Sequence, residues 1–119
     1  MDTTAYDTYC EGMALMDAGK DDEALVVFLR SLKMGDHFKT CERVAEILSK
    51  TGRSAEAAKY VERAYSLNPS NAKTATQYAS LLDSQDRTDE ALAILDEALK
   101  RNLTYGPALK LRKTLASKD

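Results

Sequence analysis

What most restricts this chain is that it repeats. Gly19 is followed by Glu23 and Ala24, Gly52 by Glu56 and Ala57, and Asp86 by Glu90 and Ala91. The three alanines lie 33 and 34 positions apart. Other columns keep the same phase: Phe28, Val61 and Leu95 follow each alanine by four, and Ser31, Ala64 and Ala98 by seven. Such a period marks a stack of like units, each of which covers the apolar face of its neighbour. The units are not made of strands. Alanine occurs 17 times and leucine 15, against six valines and isoleucines together, and alanine loses least on entering a helix while β-branched residues favour sheets.

Each period holds two amphipathic helical patterns with a turn between them. In the second, Cys41, Val44, Ala45 and Leu48 recur at helical spacing before Gly52, and Ala57, Val61, Ala64 and Tyr65 recur after it. In the third, Ala75, Tyr78, Ala79 and Leu82 precede Ala91, Leu95, Ala98 and Leu99. Gly19 and Gly52 can adopt the positive φ that ends a helix, and Pro69 stops one near Leu67. Asp89 and Glu90 open a helix that closes on Lys100 and Arg101, in the sense the helix dipole favours. Pro107, Leu109, Leu111 and Leu115 describe a last helix.

These residues resemble the tetratricopeptide repeat (TPR) family. The resemblance is carried by Gly12, Leu15, Ala24, Phe28 and Leu32, then by Ala45, Leu48, Gly52, Ala57, Ala64, Leu67 and Pro69, then by Tyr78, Ala79, Leu82, Ala91, Ala98 and Leu99. The chain departs from the family where an early aromatic is usual, with Thr8, Cys41 and Ala75 there instead, and where Glu11 replaces a leucine. Asp36 and Leu103 stand where a closing proline is expected. The resemblance implies an all-α, right-handed α-solenoid of three helix-turn-helix repeats, at about 5–37, 38–71 and 72–105, with a capping helix over 106–117. It implies one TPR domain over residues 1–119. It also implies a non-enzymatic adaptor that holds a peptide or helical segment of a partner in a concave groove.

Projected onto that groove, the first repeat offers Tyr6, Tyr9, Cys10, Met13 and Met16. The second offers Lys39, Glu42, Arg43, Glu46 and Lys50, and the third Lys73, Thr76, Gln77 and Ser80. Tyr and Met supply adaptable apolar area, so Tyr6, Tyr9 and Met13 are expected to grip apolar side chains while Arg43 and Lys73 meet carboxylates. Glu46 and Gln77 complete the candidate partner-binding set. The competing reading is that Tyr6, Tyr9, Met13 and Met16 only pack the first helix pair. Some family members clamp the acidic C-terminus of a chaperone with Lys, Asn and Arg. Those positions here hold Tyr9, Met13, Arg43, Lys73 and Gln77, and only Lys73 matches, so the clamp is not expected.

Chemistry beyond binding finds little support. His37 and Cys41 are four apart, half of a metal site, with only Cys10 and Asp36 as further candidates. No paired-cysteine motif, phosphate-cradling glycine loop or nucleophile with an oxyanion hole is present, so no enzyme, metal or cofactor is expected. A net charge of −2 argues against general nucleic-acid binding. Residues 1–40 carry four basic and eight acidic side chains, and residues 100–118 six basic and none acidic, which leaves homo-oligomerisation open. The longest apolar run, Ala24 to Leu29, is six residues, where a membrane span needs about 20. The Met-Asp-Thr-Thr start carries no secretory pattern. Two cysteines without a signal read as reduced thiols, so a cytoplasmic protein is expected. Self-association through the Tyr/Met-rich first repeat and a dedicated chaperone role for a secreted or aggregation-prone subunit are the alternative functions.

Overall fold

A computed structural model describes residues 3–117. Those residues form seven helices and no strand: α1 (Ala5–Asp17), α2 (Asp21–Met34), α3 (Phe38–Lys50), α4 (Ser54–Leu67), α5 (Ala72–Ser84), α6 (Thr88–Arg101) and α7 (Gly106–Ala116).

Local chemistry sets these limits. Thr4 begins α1 with a reciprocal capping box, its hydroxyl accepting from the Asp7 N–H while the Asp7 carboxylate accepts from the Thr4 N–H. Asn71 caps α5 by accepting from the Thr74 N–H at 3.0 Å. The first helix of each pair ends in the same motif. After α1, α3 and α5 a residue at positive φ turns the chain: Gly19 (78°), Gly52 (77°) and Asp86 (61°). The next N–H then reaches back to a carbonyl five residues earlier, from Lys20 to Leu15, Arg53 to Leu48 and Arg87 to Leu82.

The chain divides into two compact units, Met1–Ala64 and Tyr65–Asp119, with the boundary inside α4. In the first unit α1 and α2 run antiparallel. The start of α1 meets the end of α2, where the Ser31 hydroxyl donates to the Ala5 carbonyl at 2.7 Å and the Thr8 hydroxyl reaches the Met34 sulfur at 3.4 Å. The core joins Phe28, Val44, Ile47 and Leu48 with Ala24, Ala45, Ala57 and Ala64. Gly12 is buried against the Phe28 ring, and a β-carbon there would lie 2.5 Å from a ring carbon. In the second unit α6 packs on both α5 and α7. Its core is Leu82, Leu95 and Leu115 set among Ala79, Ala91 and Ala108. Each fully buried leucine or phenylalanine stabilises by roughly 1.5–3 kcal/mol.

The positions where a large early aromatic was expected are nevertheless buried: Thr8, Cys41 and Ala75 are all at most 2% exposed. Their small side chains sit where close helix approach leaves little room. No helix among the described residues is long and apolar enough to cross a membrane.

Candidate functional site

The first unit places Tyr6, Tyr9, Arg43 and Glu46 in one continuous patch. Tyr9 is half-buried, its ring centroid 5.8 Å from Phe28, so the core fixes its position. Tyr6 lies one helical turn earlier with its ring 6.4 Å from Tyr9 and is 70% exposed. A hydrogen bond with Cys10, and charge repulsion from it, holds the Tyr6 phenol above its ordinary pKa. On α3, Arg43 pairs with Glu46 at 3.0 Å. Burial opposes the Arg43 charge, but hydrogen bonds with Glu46 and Tyr9 outweigh it and raise the guanidinium above its usual value. Arg43 Nε is buried without a hydrogen-bond partner among the described residues.

Beside Tyr6 and Tyr9 a cleft of about 470 Å³ opens where the start of α1 meets the turn between α2 and α3. Tyr6 and Tyr9 form one wall, and Asp36, His37, Lys39 and Thr40 line the other. The Tyr9 and His37 rings stand 6.4 Å apart. His37 begins α3, its Nδ1 accepting from the Lys39 N–H at 3.3 Å. Asp36 is engaged by Arg63 in an ion pair.

The remaining expected residues divide. Met13 and Met16 are half-buried against the first unit's core, so packing accounts for much of their surface. Glu42, projected onto the groove, is only 7% exposed. Lys73 and Gln77 are exposed on α5, in the second unit. The sequence pattern marks no site at the cleft's far wall: it projects Lys39 onto the groove and offers His37 and Asp36 only as metal-ligand candidates. Among the described residues no three His, Cys, Asp or Glu side chains cluster in a way that could hold a metal ion. Burial pushes the Cys41 thiol up to about 11, so at neutral pH it stays protonated and a poor nucleophile.

The sequence pattern of the family described as Tetratricopeptide repeat matches residues 48–113, more than half of the chain. The chain belongs to the tetratricopeptide-repeat family. Solved TPR structures agree in architecture. The first TPR of Spaghetti (RPAP3), bound to the HSP90 peptide SRMEEVD, matches with a TM-score of 0.77 and 17% identity over 95% of this chain and 93% of its own. The Sgt2 TPR domain from Aspergillus fumigatus matches at 0.74 with 15% identity, over 96% and 78%. YrrB, a TPR protein with an unusual peptide-binding site, matches at 0.72 with 18% identity over 94% of this chain, which spans 58% of the YrrB chain. At such identities the likeness establishes the fold: this TPR chain is an all-α helical-repeat protein. No curated protein matches it.

Proposed function

We propose that this TPR chain is a non-enzymatic interaction module that binds a peptide or helical segment of a partner protein in its groove. Tyr6, Tyr9, Met13, Arg43 and Glu46 carry the contact in the first unit; Lys73 and Gln77, exposed on α5, are polar contacts offered by the second unit on its own. The carrying observation is the 70% exposure of Tyr6 beside a Tyr9 that the core holds rigid. Packing alone gives no reason to keep that ring in water. A rigid aromatic ledge beside a cleft has the character of a binding hot spot, because little ordering cost remains for the receptor. The peptide complexes formed by proteins of the same fold support this reading. The chaperone-tail clamp is not part of it: Tyr9 and Met13, at two of its positions, are packed on the core and carry no charge. Free Cys10 and Cys41 suit a reducing, cytoplasmic setting.

A random-peptide display library panned on the chain tests the reading. Selected peptides are titrated by fluorescence anisotropy against wild type, Tyr6→Ala and Arg43→Ala, with thermal melting in parallel. Tyr6→Ala is expected to weaken binding by about tenfold or more while melting stays unchanged. Selection of no peptide, or peptides indifferent to both substitutions, overturns it. A tight dimer in light scattering that is lost on Tyr6→Ala would instead favour self-association.

A further inference from the structure

The far wall of the cleft is built from the first turn of α3. A helix start presents main-chain N–H groups without intrahelical acceptors and the positive end of the helix dipole. Here His37 Nδ1 takes the Lys39 N–H, while the Phe38 and Thr40 N–H groups have no acceptor among the described residues. Thr40 stands in the same turn. It is 1% exposed, yet it lines the cleft, and its hydroxyl makes no hydrogen bond with any described residue. Among the described residues Arg43 Nε is the side-chain atom sealed without a partner. Thr40 is one of the residues that line the cleft. A hydroxyl on a buried residue, without a partner among the described residues, is a donor available to an acceptor from outside.

The charges around it agree. Lys39 lines the same wall, and the Asp36 carboxylate in the lining is already held by Arg63. With the helix dipole added, the wall is left with an excess of positive potential and uncommitted donors, facing the apolar Tyr6 and Tyr9 rings.

We infer that this cleft is an oxyanion subsite that takes the carboxylate of an acidic side chain next to an apolar one in the bound partner segment. The inference rests on the peptide-binding reading above. The oxyanion accepts from the Thr40 hydroxyl and the free N–H groups of the first turn of α3, Lys39 supplies charge, and the tyrosine rings cover the apolar neighbour.

Amide shifts of the isotope-labelled chain report the site directly, with N-acetyl-Phe-Glu-amide, N-acetyl-Phe-Gln-amide and inorganic phosphate as probes. Saturable shifts centred on Phe38, Lys39 and Thr40 are expected with the Glu probe and with phosphate, and absent with the Gln probe. Thr40→Val removes the donor at nearly constant volume and is expected to weaken the Glu probe about tenfold. Thr40→Ser keeps it, and melting curves verify that both variants fold. Equal response to the Glu and Gln probes, or phosphate binding without Glu-probe binding, overturns the acidic-side-chain assignment. The absence of saturable shifts with every probe overturns the subsite. Display-selected peptides that still bind through Tyr6 would then leave the broader function standing, so the two failures are distinguishable.

Discussion

The two units fill the same repeat columns with different pairs of side chains. In the first, Phe28 is completely buried and the residue facing it, in the column shared with Ala45 and Ala79, is Gly12. In the second, the Phe28 column holds Leu95, also completely buried, in the same core as Ala79. A larger residue on one helix is thus accompanied by a smaller one on its partner. Phe28 with Gly12 and Leu95 with Ala79 trade size between two helices at nearly constant summed volume, as close packing requires. That trade has a consequence for function: the ring accommodated by Gly12 also supports Tyr9 from behind, whereas Leu95, at the equivalent position of the second unit, carries no ring.

Emptying the two equivalent sites is the strongest way to break this comparison. Phe28→Ala should cost about 3–5 kcal/mol and Leu95→Ala about 2–5 kcal/mol in urea denaturation, large fractions of the roughly 5–15 kcal/mol a domain possesses. Cys41 provides a second readout. Buried, with its thiol pushed up to about 11, it should resist alkylation in the folded chain while exposed Cys10 reacts. Phe28→Ala should speed Cys41 labelling far more than Leu95→Ala does. Equal acceleration by both would show that the division at Ala64 has no energetic counterpart.

A smaller effect sharpens the point about shared volume. Gly12→Ala places a β-carbon 2.5 Å from the Phe28 ring. Overpacking costs about 1–3 kcal/mol, against about 1 kcal/mol gained from better helix propensity, so the net change should be destabilising. Adding Phe28→Leu recreates the Leu and Ala pairing of the second unit and should recover most of the loss. Failure of that rescue would mean the columns are not interchangeable and that the ring is held for another reason, such as seating Tyr9.

The turns and the packed columns were legible in the sequence because each depends on residues close together or at a fixed period. Gly19, Gly52, Pro69 and the alanine columns declare themselves that way. The cleft was not legible. It depends on the start of α1 meeting the end of α2, a junction held by Ser31 and Ala5, which are 26 residues apart. Thr40 belongs to no stripe that helical spacing marks as exposed, and histidine is not among the residues that announce a helix start. Glu42 shows the complementary failure. Its spacing from Lys39 and Glu46 places it on a polar stripe, yet the fold buries it, because spacing does not reveal how much of a helix its neighbours cover. Tyr6 and Tyr9 were readable as a pair. Which of them is buried was decided by Phe28, one helix away.

The smallest expected effect lies in the turns and compares the units directly. Gly52, in the first unit, and Asp86, in the second, close the same motif at positive φ. Nothing lies within 4 Å of the position a Gly52 β-carbon would take, so Gly52→Ala isolates backbone strain and should cost about 1 kcal/mol after the unfolded chain's lost freedom is credited. At Asp86 two terms oppose each other. Glycine would relieve the left-handed strain, which aspartate tolerates better than most residues, but it would also loosen the unfolded chain by about 0.4–1 kcal/mol. Asp86→Gly should therefore move stability by less than about 0.5 kcal/mol in either direction, read as the urea midpoint at constant slope. A gain well above that would show that Asp86 is strained as a bulkier residue would be, and that the second unit's turn is the weaker of the two.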